Sequence, residues 1–475
     1  MIPEHKEFAE WFDNRLDDEF TKDILKASNW FLEFMGETTW RERKENVIRY
    51  FSQMSKNIFE DKKDIGFSSN QGRMAFYDDW IAWYLYLAES LELRPMVGEP
   101  SQSARIWPFF STIGKHIALL KLTTGIEFKL QELLIKKGNL PDSILFEFVV
   151  AICYLRNGWE VAFIPETGAH KTPDLHVKKK DREFFVECKR LAKGTLYSDK
   201  ERTEWLKRWE NALPYLTGYS KSVFLDVIFK KEVMETSEFI IADAIKELTS
   251  CKSTVQGSCL ENKEIKVCAR HIDMFKIHNH LKKWMVKYPS QQLNYLLDEN
   301  YEPDGSYTSA YQIELVEVAP DKESVVNLFV KNIKKAYCAK WECIAEESID
   351  KKARDVKNLL VKAVNQAPEK GSTVVHIGYE TLHGPFVEFI RDNKIVELIS
   401  SFDFGSKNIA SVFCHSFQPK VLPDNEWEFA ETTRYFGINS KPEDILEDNL
   451  LMQREHSVIS NETHWMQDAL EKVQD

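Results

Sequence analysis

Two strand-like runs, TPDLHVKKK and EFFVECKR, are separated by only a charged turn at Lys180-Asp181-Arg182, so they can be joined as a tight hairpin. In the second run a period of two puts Phe185, Glu187 and Lys189 on one face and Phe184, Val186 and Cys188 on the other. The acid and the amine point the same way, and Cys188 goes toward the core as a small buried hydrophobe rather than a nucleophile. Asp174, in Pro173-Asp174 at the head of the first run, is delivered by the neighbouring strand. Two carboxylates and one ammonium gathered in this way suit a hard divalent cation and an attacking water. The carboxylates hold Mg²⁺ through oxygen, and the amine orients or helps deprotonate the water and steadies charge on a phosphate.

Upstream, SILFEFVVAICYLRNG reads as a helix that starts near Pro141-Asp142-Ser143 and stops at Gly158, with Glu147 inside its apolar stretch. WEVAFIPE then gives a first strand, PDLHV a second and FFVECKR a third. This order and these residues resemble the PD-(D/E)XK nuclease superfamily, whose core is an α-β-β-β-α-β unit. The resemblance covers only the stretch from Ser143 to Arg190. It implies an α/β fold with a mixed central sheet of restriction-endonuclease-like type and flanking helices. It also implies Asp174 and Glu187 as metal ligands, the carbonyl of Cys188 as a further ligand, Lys189 as the catalytic lysine, and Glu147 as an outer-shell or second-metal carboxylate. The implied cofactor is Mg²⁺, with Mn²⁺ able to substitute, and the implied partner is nucleic acid, DNA ahead of RNA. An endonucleolytic cut and a place in restriction or antiphage defence follow by fold-level analogy alone.

A net charge of −12 is unusual for a protein that binds nucleic acid, but the charge is unevenly placed. Residues 171–208 hold twelve Lys/Arg against seven Asp/Glu, whereas residues 423–475 hold four against thirteen. The basic segment continues past the hairpin into a helix, so Lys171, Arg190, Lys193, Arg202, Lys207 and Arg208 are candidate phosphate contacts, which position a nucleic acid without reading its sequence. A solvated helix face interleaved with acids is the alternative reading of the same residues.

The rest of the chain sets the frame. Residues 1–125 read as a helical domain rich in tryptophan (Trp11, Trp30, Trp40, Trp80, Trp83 and Trp107), residues able to stack on bases but at the spacing of a core or an interhelix seam. Through this domain a second copy or a protein partner could dock. Residues 126–422 read as the α/β domain, with SVFLDVIFK as the fourth strand of its core and 230–345 as either an insertion or a continuation of the sheet. Residues 423–475 read as an acidic tail or helical extension. His376, His383 and His415 fit no metal-ligand spacing and are expected to be structural. Eight scattered cysteines with no C-x-x-C indicate neither a zinc site nor a disulfide framework, and point to a reducing cytoplasm. A charged N-terminus and the lack of a long apolar run argue against a secretory signal and a membrane span. Two other classes remain: a nucleic-acid-binding protein on an inactive nuclease fold, and a partner-binding component in which the motif is incidental.

Overall fold

The computed structural model describes residues 18–60, 68–69, 78–93, 98–135, 141–165, 172–191, 196–250, 257–302, 304–318, 323, 325, 327–421, 427–452 and 464–465. The first part is helical, as its apolar spacing predicts: α1 (Glu19–Met35), α2 (Glu37–Glu60), α3 (Trp80–Leu93), α4 (Pro100–Lys115), α5 (Ile117–Lys121) and α6 (Ile126–Leu134). Asp18 caps α1 by accepting from Thr21 N, and Glu99 caps α4 by accepting from Ser101 N and Gln102 N. Helices α1 and α4 cross so closely that a Cβ on Gly114 would lie 1.8 Å from the Asp23 carbonyl oxygen. Trp30, Trp40 and Trp83 are buried, and Trp83 sits 4.1 Å from the Phe51 ring, so these aromatics build the core. Trp11 lies outside the described residues.

Helix α7 (Pro141–Arg156) starts at the expected proline and ends at Gly158, whose φ of +76° suits glycine. It leads into the antiparallel strands β2 (Glu160–Phe163), β3 (Leu175–Lys179) and β4 (Arg182–Arg190). Their sheet is mixed and six-stranded, in the order β12-β11-β10-β4-β3-β2. Strand β10 (Thr373–Glu380) runs parallel to both β4 and β11 (Ile409–Val421), and β12 (Trp427–Gly437) closes the edge antiparallel to β11. One face of the sheet shares a single apolar core with the N-terminal helices and α7, including Phe184, Val186 and Cys188. The other face, with Val375, Ile377 and Tyr379, is covered by α12 (Glu346–Gln366) and α13 (Pro385–Ser400).

Between β4 and α12 the chain leaves this sheet and builds another. Helix α8 (Leu196–Thr217) carries it to β5 (Val223–Phe229), α9 (Ile240–Ser250), β6 (Ser258–Glu261), β7 (Ile265–His271), α10 (Met274–Leu281), α11 (Gln291–Leu297), β8 (Ser306–Glu317) and β9 (Leu328–Cys343). The second sheet has the order β1-β8-β9-β5-β7-β6, where β1 is Ser68–Ser69, and its one parallel pair is β5 with β9. SVFLDVIFK is therefore strand β5 of the second sheet and not the fourth strand of the first, a place taken by β10. The reason is packing: Val223, Leu225, Val227 and Phe229 close on Trp205 and Trp209 of α8 and make a core of their own.

Two further expectations are corrected. Part of the presumed acidic tail is strand β12 together with α14 (Pro442–Ile445), and Leu450, Leu451 and Met452 behind it are buried. Cys259 and Cys268 form a disulfide, because the β6–β7 register places them directly opposite each other. The described free cysteines are all buried. Among the described residues no helix is long and apolar enough to cross a membrane.

Candidate active site

The hairpin places its side chains as alternation requires. Glu187 and Lys189 pair in register with Val375 and Ile377 of β10 and share their face, while Cys188 pairs with His376 on the other. Asp174 stands one residue before the Leu175–Val186 pair, opposite Glu187, and its backbone is pinned on both sides: Asp174 N donates to Val186 O at 3.0 Å, and Ile164 N donates to Asp174 O at 2.9 Å. Its carboxylate is held as well, since Cys188 N donates to Asp174 Oδ2 at 2.7 Å. Phe185 N and Leu191 N both donate toward β10, so the intervening even-numbered residues turn their amides and carbonyls toward β3. The Cys188 carbonyl therefore opens on the edge where Asp174 stands.

Glu187 is fully buried. Its Oε1 accepts from Lys189 Nζ, and its Oε2 has no hydrogen-bond partner. Burial, reinforced by repulsion from Asp174 and opposed by Lys189, pushes the Glu187 carboxyl up to about 9. Lys189 is pulled by burial toward the neutral amine, but Glu187 and Asp174 outweigh this and hold its ammonium above the usual range.

Glu147 arrives from α7, on the opposite face of the sheet. Burial first and Asp174 second push its carboxyl up to about 8, against the pull of Lys129. Asp174 is thus the strongest neighbouring negative charge on both glutamates.

Lys129 was not singled out from the sequence. It stands on the buried stripe of α6 with Ile126, Leu130 and Leu133, and its Nζ lies 2.6 Å from Glu147 Oε2 and 3.2 Å from Glu132 Oε2. A lysine inside an apolar helical stripe was the available signal. Its distant partner was not legible.

The proposed phosphate contacts fare unevenly. Arg190 points into the apolar core: its side chain is 2% exposed, pairs with Glu380 at 2.8 Å and lies over the Phe417 and Phe109 rings. Arg208 is equally buried and is spent on Glu204 and Thr236. Neither guanidinium reaches a solvent-borne phosphate, which corrects the sequence expectation; Arg208 has a partner at each of its three nitrogens, whereas Arg190 is held by Glu380 at Nη2 and has no hydrogen bond at Nε or Nη1. Arg202 is half-buried, and Lys207 is exposed and paired with Glu204 at 2.7 Å. Lys171 and Lys193 lie outside the described residues.

His376 and His415 lie inside the protein. Tyr154 Oη lies 3.2 Å from His376 Nε2, His376 Nδ1 3.0 Å from His415 Nε2, and His415 Nδ1 3.3 Å from Glu431 Oε1, a chain of polar groups wholly inside the protein. The Glu431 carboxylate in turn accepts from Leu451 N and Met452 N. His383 lies in the turn before α13, where its N–H donates to Glu388 Oε1 at 3.2 Å. Among the described residues no three His, Cys, Asp or Glu side chains form a ready-made cation cage. Compared with known proteins, the chain matches no family model, no curated protein and no solved structure.

Proposed function

We propose that this chain is an Mg²⁺-dependent nuclease of the PD-(D/E)XK type that cuts DNA internally, with restriction or antiphage defence as its setting. The observation that carries the reading is the meeting of Asp174, Glu187 and Lys189 at one end of the β3–β4 hairpin. The element order around it supports the same reading: α7, β2, β3, β4, then α12 and a β10 parallel to β4, with the second sheet inserted between β4 and α12. DNA rather than RNA, and the biological setting, rest on the resemblance of the motif.

The donor set fits the cation. Glu187 Oε2 is a buried carboxylate oxygen without a hydrogen-bond partner, beside a second carboxylate and a backbone carbonyl, all hard oxygen donors. Mg²⁺ keeps several waters and is commonly bound through one or two carboxylates, so it needs no all-protein cage. Asp174, Glu187 and the Cys188 carbonyl would hold it. When bound, Mg²⁺ polarises a phosphoryl oxygen and makes water a better nucleophile. Cys188 N–H fixes the aim of Asp174 and keeps that carboxylate on the shared edge. Lys189, anchored on Glu187 and 19% exposed, would present its ammonium to a scissile phosphate and an attacking water. The test is cleavage of supercoiled plasmid by the purified chain with Mg²⁺ and with EDTA. Metal-dependent nicking or linearisation is expected, and its absence with both DNA and RNA would return the fold to a binding role.

A further inference from the structure

Four carboxylates and two ammoniums share the head of β3: Asp174, Glu187, Glu147 and Glu132 against Lys189 and Lys129. With all six ionised the cluster carries a net charge of −2, which one divalent cation balances and a second would turn to +2 in a largely desolvated place. The two lysines are not equivalent. Lys189 is 19% exposed and pairs with Glu187, whereas Lys129 is 5% exposed and lies between two carboxylates, 2.6 Å from Glu147 Oε2 and 3.2 Å from Glu132 Oε2.

Lys129 is also firmly placed. Helix α6 is stitched to strand β2 just before its first turn, where Thr124 bridges Ala162 and Phe163 N donates to Thr124 O at 2.9 Å. Gly125, at φ +84°, permits that approach: a Cβ there would stand 2.8 Å from both the Phe163 carbonyl oxygen and the Phe128 ring. One turn later the helix delivers the ammonium to Glu147.

Resting on the proposed nuclease reading, we infer that Lys129 occupies the place of a second cation, so that the cluster takes one divalent ion, on Asp174 and Glu187, and leaves Glu147 to the lysine. Lys129 is then a positioning residue that sets cation stoichiometry.

The experiment is titration of the metal-stripped full chain with Mn²⁺, free ion being followed by electron paramagnetic resonance. Wild type should bind one Mn²⁺ per chain. Lys129→Met, which keeps the apolar stem but removes the charge, should bind two, and Lys129→Arg one. Glu147→Gln should keep one ion at an affinity within about threefold of wild type, against the roughly 10- to 100-fold loss that follows disturbance of a ligand or its support. Two ions in wild type, one in a folded Lys129→Met, or loss of the ion in Glu147→Gln would overturn the inference. Should Lys129→Met fail to fold by circular dichroism, wild type and Glu147→Gln still decide it. Failure of the underlying reading looks different: no Mn²⁺ bound to wild type, or Asp174→Asn binding it as well as wild type does.

Discussion

Glu187 combines a fully buried carboxyl, a lysine on one oxygen and no hydrogen bond on the other, and this makes its proton a reporter on the whole site. Without metal, the unfolded chain releases that proton near the ordinary 4.5, whereas the folded chain keeps it up to about 9. Between these values the unfolded state binds fewer protons, so stability must fall as pH rises from about 5 to 9. Glu147, pushed up to about 8, adds in the same direction. Thermal melts in EDTA should therefore show a declining Tm across that window; Glu187→Gln should flatten the decline and Mg²⁺ should reverse it. The chemistry is tested at the same residues. Asp174→Ala and Glu187→Ala should abolish Mg²⁺-dependent cleavage while leaving metal-free nucleic-acid affinity little changed, and Lys189→Ala should lower the single-turnover rate by about 10²-fold or more. Full cleavage by either carboxylate variant would place the site elsewhere.

At the scale of elements, α8 and α12 join the two sheets through a buried pair. Lys352 Nζ lies 2.9 Å from Glu201 Oε2 with both side chains 2% exposed, and Ser348 donates to the other oxygen of Glu201 at 2.7 Å. Removing one member strands the other charge away from water. Lys352→Ala should therefore cost about 3–5 kcal/mol in urea unfolding, and a Lys352→Met, Glu201→Leu double replacement should recover much of it. The same helix α8 separates surface from interior among the basic residues. Lys207→Ala should reduce the salt dependence of nucleic-acid binding by up to about one unit if that face meets phosphate. Arg208→Ala should instead lower stability by releasing Glu204 and Thr236, with denaturation and salt-dependent affinity measured side by side for both variants.

For the whole molecule, the two sheets have separate cores. Trp205, fully buried against Trp209, Trp341 and Phe229, belongs to the second, whereas the carboxylate cluster belongs to the first sheet. Trp205→Ala should cost about 3–5 kcal/mol through the cavity it leaves, yet Mn²⁺ affinity of the folded variant should stay at the wild-type value. A coupled loss of Mn²⁺ binding would show that the second sheet shapes the site. The first sheet depends in turn on the segment that follows α14, since the buried Glu431 carboxylate on β12 accepts from Leu451 N and Met452 N.

The hairpin, the facing of Glu187 and Lys189 away from Cys188, and the limits of α7 at Pro141 and Gly158 were legible in the sequence alone. Each depends on periodicity, turn chemistry or capping, which act over a few neighbouring residues. What the tertiary structure alone decided is who meets whom across the chain. Arg190 reads locally as a basic surface residue, but Glu380, 190 positions away, draws it into the core. Strand β5 has the apolar pattern of a buried strand in either sheet, and only the tryptophans of α8 assign it to the second. Lys129 is an ordinary lysine until α6 docks on β2 and brings it to Glu147. Burial and charge pairing depend on three-dimensional neighbours, and no local pattern records them.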